Sequence, residues 1–136
     1  MALPNGAGGY QVGAGNRAET ILGYMAAPQT ATSTATLTAA QVVNGMLVAN
    51  PSTSAATYTL PTAALIDAAV PNATVGSTFD LIIVNIGTSS GTVTLSVTST
   101  NITDGGNALT AVAVTSSAIF RFRKTAEGAY TVYRIA

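Results

Sequence analysis

The fold is decided near the C-terminus, where residues 118–135 read AIFRFRKTAEGAYTVYRI. Apolar side chains alternate with polar ones on both sides of a Thr-Ala-Glu-Gly stretch, which is typical of two β-strands joined by a turn. With a four-residue loop over residues 125–128, Phe120 would face Tyr133 in the partner strand. Phe120 and Phe122 would then share the core face, and the other face would carry Arg121, Arg123, Tyr130 and Arg134.

The residues before this hairpin also predict strands. Residues 78–85, TFDLIIVN, have a continuous apolar centre, which is typical of a strand covered on both faces. Residues 92–98, TVTLSVT, alternate so that three apolar side chains point into the core, namely Val93, Leu95 and Val97. We expect a hairpin loop at 87–91, a turn at 104–107 and a short strand at 111–114, so this half predicts a meander.

A strand followed by a short helix is predicted twice in the first half of the body. Residues 34–37 form the first strand, and Thr38 with Gln41 has the spacing of a capping box. Asn44-Gly45 then offers a left-handed stop. Residues 46–49 and 57–60 predict the next strands, and a second helix follows, with Thr62 as its cap and Pro71 at its end. Two copies are too few for a solenoid, so we interpret them as two helical corners in one β domain.

Residues 1–30 differ from the rest of the chain because they hold six of the 13 glycines, two prolines and no sustained periodicity. Such a stretch has little side chain to bury and much backbone entropy to lose. We therefore predict an extended N-terminal arm over residues 1–30 and a β-sandwich body over residues 31–136. The arm carries candidate anchors for a partner or for the chain's own core, and we select Tyr10, Arg17, Ile21, Leu22, Tyr24 and Met25.

The composition argues against most enzyme classes. The 136 residues include no Cys, His or Trp, only five acids and five bases, and a formal net charge of zero. The missing residues exclude disulfides, thiolate metal sites and Ser-His-Asp or Cys-His catalysis. We expect no enzyme, no cofactor and no metal. Without a basic surplus we also expect no nucleic-acid partner.

Three stretches imitate functional motifs without their context. Residues 87–91 match G-x-S-x-G, but a strand is predicted after them and the elbow needs a His partner. Residues 13–18 match G-x-G-x-x-A without a convincing strand before them. Asp104 beside two glycines supplies one carboxylate, too few for a calcium loop. We interpret these stretches as a hairpin loop, a Gly-rich arm and a turn.

The sequence predicts no targeting or membrane-spanning segment. The first residues have no basic region followed by a long apolar run, so they do not predict a signal peptide. The longest strongly apolar runs have about four residues, whereas a spanning helix needs about twenty. We expect the protein to be synthesised in a host cytoplasm, and we expect no membrane association.

Together these patterns predict an all-β fold, an antiparallel β-sandwich or jelly-roll-like barrel with two short helical corners and an extended N-terminal arm. Only 7% of the residues are charged, against about 25% in an average soluble protein. A surface so poor in charge tends to associate. The one concentrated charge feature, Arg121, Arg123 and Arg134, is either a solvated sheet surface or a contact face for an acidic partner.

Several stretches resemble the capsid decoration, or cement, proteins of tailed bacteriophages. They lie at residues 10–16, 27–30, 36–41, 58–63, 120–123 and 132–134, and read YQVGAGN, APQT, TLTAAQ, YTLPTA, FRFR and VYR. The resemblance implies a β-sandwich or jelly-roll body, an arm that lies along the capsid shell, and dimers or trimers on two-fold or three-fold positions. It implies no catalytic residues.

The sequence-based hypothesis is therefore a structural virion protein on the outer capsid surface that cements neighbouring subunits of the major capsid protein. Its partners would be that protein and further copies of itself, as a homo-trimer or homo-dimer. The alternative is a receptor- or carbohydrate-binding β-module of a tail fibre, although sugar sites favour clustered aromatics and this chain has no Trp.

Overall fold

A computed structural model describes residues 23–136 of the chain. Nine strands and two short helices lie within that range. In chain order they are β1 Gln29–Ala31, β2 Ala35–Thr36, α1 Ala39–Val43, β3 Met46–Ala49, β4 Ala56–Thr59, α2 Ala63–Ala69, β5 Thr78–Asn85, β6 Val93–Ser96, β7 Ile102–Gly106, β8 Ser117–Ala126 and β9 Ala129–Arg134.

The strands form two sheets. The larger has the order β1-β3-β5-β8-β9-β7, and the smaller has the order β2-β4-β6. Strands β1, β3 and β5 pair in parallel, as do β2, β4 and β6, and as do β7 and β9. Among the described strands, antiparallel pairing joins only β5 to β8 and β8 to β9. The prediction of a β-rich fold is confirmed, the antiparallel arrangement is wrong for most strand pairs, and a jelly roll is not confirmed.

The parallel ladders arise because consecutive strands alternate between the two sheets. The chain thus winds three times around a shared core, with β1 and β2 in the first coil, β3 and β4 in the second, and β5 and β6 in the third. Equivalent residues stack between coils, since Tyr58 pairs with Ala35 on one side and with Leu95 on the other. The recurrence in the sequence is therefore a stacked repeat whose third coil lacks the helix.

Helices α1 and α2 follow the second strand of the first two coils and pack on each other. The predicted capping box of α1 is confirmed: the backbone N–H of Gln41 donates to Thr38 Oγ1, and the Thr38 N–H donates to Gln41 Oε1. Gly45 has the left-handed φ of 96° that the predicted stop requires. Thr62 is the N-cap of α2, but its side chain makes no capping hydrogen bond.

The core lies between the sheets and under the helices. Its largest fully buried side chains come from all three coils and from the final hairpin: Tyr58, Tyr130, Phe120, Phe122, Leu47, Leu60, Ile66, Leu81, Ile83, Leu95, Val42 and Val93. Burying a side chain of this size is worth about 1.5–3 kcal/mol. The stacked rings of Phe79 and Phe122, with centroids 4.8 Å apart, extend this core beside the hairpin.

The hairpin β8–β9 is present, but its register differs from the prediction by one residue. Phe120 pairs with Arg134 rather than with Tyr133, because the turn has two residues, Glu127 and Gly128, and a bulge follows Lys124. Phe120 and Phe122 are buried as predicted. Tyr130 is buried too, opposite Lys124, so its predicted place on the Arg121 face is wrong.

The loop at 87–91 is not a hairpin loop, because β5 and β6 belong to different sheets. Asn85 braces this crossing: its buried side chain donates to the carbonyls of Gly91 and Val112 and accepts from the Gly87 N–H. Residues 104–106 belong to β7 rather than to a turn, and the strand predicted at 111–114 is reduced to a single bridge between Val112 and Val93.

Candidate interaction surface

One face of the six-stranded sheet covers the core, and we call the opposite side the outer face. Side chains directly paired in a sheet lie on the same face. Leu47, Leu81 and Phe120 are buried on the core side, so their neighbours along each strand lie on the outer face. The outer face is therefore defined by the alternating residues of β3, β5 and β8, which are half-buried or exposed.

An apolar row crosses the outer face. Met46 pairs with Ile82, and Ile82 pairs with Ile119 across β3, β5 and β8. Val48 and Val84 form a second paired step beside it. These five side chains are half-buried. Two more isoleucines at its margins, Ile86 and Ile135, are each about half exposed. The outer face thus presents aliphatic surface that is partly open to solvent.

A charged patch continues the outer face toward the other end of β8. Arg121 forms a bidentate ion pair with Asp80, with Nε 2.8 Å from Oδ1 and Nη2 2.9 Å from Oδ2. These hydrogen bonds lower the pKa of the Asp80 carboxyl and raise the pKa of the Arg121 guanidinium. Because Asp80 and Arg121 face each other in the register, the strand pairing sets the geometry of this pair.

Arg123 lies on the same face, two residues after Arg121, and is exposed. No carboxylate within residues 23–136 lies within ion-pair distance of it. The Asp80 carboxylate is engaged by Arg121. Elsewhere, Asp67 and Glu127 contact Lys124, and Asp104 accepts backbone N–H groups. Arg123 therefore gives the outer face a positive charge that no described acid offsets.

Arg134 does not belong to this patch, which corrects the predicted grouping. It pairs with Phe120, so it lies on the side of the sheet opposite to Arg121 and Arg123. Its Nη1 donates to the carbonyl oxygens of Thr110 and Ala111 at 2.9 and 3.2 Å. The side chain of Arg134 thus ties the end of β9 to the loop before β8, and it is engaged within the chain.

The predicted arm residues divide between the described and the remaining part of the chain. Tyr10, Arg17, Ile21 and Leu22 lie outside the described residues. Tyr24 is 97% exposed and Met25 is 49% exposed, and every residue from 23 to 28 is exposed. The residues leading into β1 are therefore largely open to solvent, and Asn44 of the body holds them through one hydrogen bond to the Ala27 carbonyl.

The opposite side of the same hairpin holds a buried ionic network that sequence reasoning missed. Lys124 is 3% exposed, and its Nζ lies 2.9 Å from Asp67 Oδ1 and 3.1 Å from Glu127 Oε2. Asp67, in α2, also accepts from the Tyr130 hydroxyl and from the Gly128 N–H. The alternation FRFRK was a usable signal, since it places Lys124 on the same face as Phe120 and Phe122.

These contacts hold Asp67 in its charged form. The hydrogen bond from Tyr130 is the largest cause, and with the bonds from Lys124 and Gly128 it lowers the pKa of Asp67 to about 2. Burial and the adjacent carboxylate raise the pKa of Tyr130. The hydrogen bond to Asp67 raises the pKa of Lys124. The network therefore stabilises an ion pair and joins helix α2 to the turn of the final hairpin.

Two stretches that imitate functional motifs, residues 87–91 and Asp104, lie in the described part of the chain and have structural roles there. The loop at 87–91 leads into strand β6 rather than into a helix, and Asp104 binds the N–H groups of Gly106 and Ala108. Within residues 23–136 no three acidic side chains gather as metal ligands would. Among the helices of that range, none is long and apolar enough to cross a membrane.

Comparison with known proteins adds no relative: no family model, curated protein or solved structure matches this chain.

Proposed function

We propose that this protein is a structural component of a tailed-phage virion, one that decorates the outside of the head and cements neighbouring subunits of the major capsid protein. The proposal includes self-association as a dimer or trimer, an extended arm that ends where β1 begins at Gln29, and no enzymatic activity. The observation that carries it is the outer face, where an apolar row lies beside Arg121 and Arg123.

The outer face has the character of a binding surface. Isolated apolar side chains are common on protein surfaces, but a contiguous group rimmed by polar residues marks an interaction site. Here the aliphatic row runs across three paired strands, and the flanking charges are guanidinium groups, which suit carboxylates on a partner.

The remainder of the molecule supports a passive mechanical role. The stacked coils and the network of Lys124, Asp67 and Tyr130 fix the sheet that presents the outer face. A rigid, pre-organised surface binds with little loss of conformational freedom. Many weak contacts of this kind, repeated over a lattice, lock neighbouring subunits through multivalency.

Co-sedimentation with phage heads tests this function. Purified protein is added to heads from a lysate in which its gene is inactivated, and the copies bound per major capsid subunit are counted after centrifugation. We expect saturable binding at a fixed stoichiometry and a higher temperature of head rupture. A protein that stays in the supernatant at all concentrations, while showing native circular dichroism, would contradict the proposal.

The same heads locate the binding residues. Deletion of residues 1–25 and replacement of Arg121 by Glu should each lower occupancy, whereas replacement of Leu65, an exposed apolar residue of α2 away from the outer face, should leave it unchanged. Equal occupancy for all three variants would show that neither the arm nor the outer face contributes to capsid binding, whether by direct contact or through self-association.

A further inference from the structure

We propose that the outer face of one copy binds residues 17–25 of a second copy, with Glu19 paired to Arg123 and the apolar side chains of the segment lying on the row of Met46, Ile82 and Ile119. The inference deepens the self-association included in the proposed function, and it names the two surfaces that meet. It rests on exposure, charge and length.

Exposure concerns the described end of the segment, residues 23–25, which is open to solvent. Residues 23–28 are all exposed, and Tyr24 has almost its full surface open to solvent at 97%. Tyr24 has nearly all of its ring surface left to bury, and Met25 has about half of its side-chain surface left. A neighbouring molecule is the natural place for that burial.

The distribution of charged residues also favours a second copy of this chain as the partner. The chain has five acidic residues, and four of them lie in the described body with cations or backbone N–H groups as partners. Glu19 is the fifth. We assign it to Arg123, the outer-face cation that no described acid neutralises. An Arg–carboxylate pair of this kind fixes the register of the segment.

Length fits the surface. An extended chain rises about 3.3 Å per residue, so a segment bound in extended form would place Glu19 and Met25 about 20 Å apart. Arg123 and Ile119 are four residues apart on β8, and Met46 lies two strands further across. With strands about 4.8 Å apart, the diagonal from Arg123 to Met46 is about 16 Å. Residues 19–25 thus span the patch from its cation to its apolar end.

The apolar row spans three strands, β3, β5 and β8. Specific interfaces bury about 800 Å² on each partner. An arm laid across the face of a neighbour adds contact area without enlarging the body. Reciprocal exchange of two arms closes a dimer, and cyclic exchange closes a trimer.

Sedimentation equilibrium on the isolated full-length protein tests the inference without phage heads, so its outcome is independent of the proposed function. We expect a concentration-dependent dimer or trimer. Glu19→Lys and Arg123→Glu should each raise the dissociation constant about tenfold or more, and the double variant should recover most of the affinity. Ile82→Asp should also weaken association, whereas Leu65→Asp should leave it unchanged.

Three results would overturn it. The first is a wild-type chain that stays monomeric at every concentration. The second is that the two charge variants associate as tightly as the wild type. The third is a double variant that associates as weakly as the single variants. An arm folded back on its own body would give the first result, and a face-to-face pairing of sheets would give the second. Circular dichroism and a thermal melt of each variant establish that the body is folded.

Discussion

The two sides of strand β8 differ in whether their cations are buried or exposed. Lys124 points inward, is 3% exposed, and contacts Asp67 and Glu127. Arg121 and Arg123 point outward, where Asp80 neutralises one of them and leaves the other. Three cations within four residues of one strand thus meet two environments. The comparison teaches that the side of the strand on which a cation lies decides whether it joins elements of the fold or remains available to a partner.

The energetics of the two sides follow from solvent. A buried pair has lost its hydration, so removing one partner leaves an uncompensated charge in a medium of low polarity. An exposed pair exchanges its partner for water at little cost, and salt screens what remains. Variants on the inner side should therefore change stability, and variants on the outer side should change association.

The largest expected effect comes from Asp67→Ala. This change leaves the Lys124 ammonium buried without its main counter-ion and removes the acceptor of the Tyr130 hydroxyl. Glu127 and the Ala73 carbonyl still contact Lys124, so we expect the free energy of unfolding to fall by about 2–3 kcal/mol, measured by urea denaturation. A loss as small as that of an outer-face variant would mean that the inner network contributes no more than a surface pair.

Acid should produce the next largest effect, through the same carboxyl group. The pKa of Asp67 is about 2 in the folded chain and lower than in the unfolded chain, where it is about 3.9. Its contribution is therefore present in full above about pH 5 and is lost as the pH falls from about 4 toward 2. Urea midpoints between pH 6 and pH 2 should show this fall, and Asp67→Asn should flatten it.

Two buried tyrosines provide a matched pair on the scale of single hydrogen bonds. The Tyr130 hydroxyl donates to Asp67, whereas the buried Tyr58 hydroxyl finds no partner among the described residues. Tyr130→Phe should lower the free energy of unfolding by about 1–2 kcal/mol. Tyr58→Phe should be neutral or slightly stabilising in the same denaturation experiment. Equal losses for the two variants would show that ring packing, and not the hydroxyl, matters at Tyr130.

The smallest effect on folding is expected on the outer face. Asp80→Ala removes an ion pair whose side chains are both more than a third exposed. The denaturation midpoint should stay within the scatter of repeated measurements, at low and at high salt. A clear loss of stability would break the comparison, because it would place a structural charge pair on both sides of β8.

The sequence predicted local structure well where one interaction decides it. The capping box of Thr38 and Gln41, the left-handed Gly45 and the inward Phe120 and Phe122 follow from spacing of three or two residues. The register of the hairpin failed by one residue. A bulge after Lys124 and a turn whose Gly128 N–H is bound by Asp67 shift the pairing, and Asp67 is about sixty residues away in sequence.

The candidate surface also has a part that local sequence predicted and a part that it did not. Alternation in residues 118–124 alone placed Arg121 and Arg123 together on the face opposite to Phe120. It did not place Arg134, since one slipped residue moves a side chain to the other face of the sheet. The apolar row could not be predicted from the sequence either, because Met46, Ile82 and Ile119 come together only through the order of β3, β5 and β8.

The sequence by itself determined most of the short strands, the two helical corners and which side chains of β8 share a face, because these depend on contacts within a few residues. Tertiary structure alone decided that the strands stack in parallel coils and that Lys124 meets Asp67. It also decided that the aliphatic residues of three distant strands form one surface. Those outcomes depend on how loops cross between two sheets, and the free energy that selects one crossing is shared by the whole core.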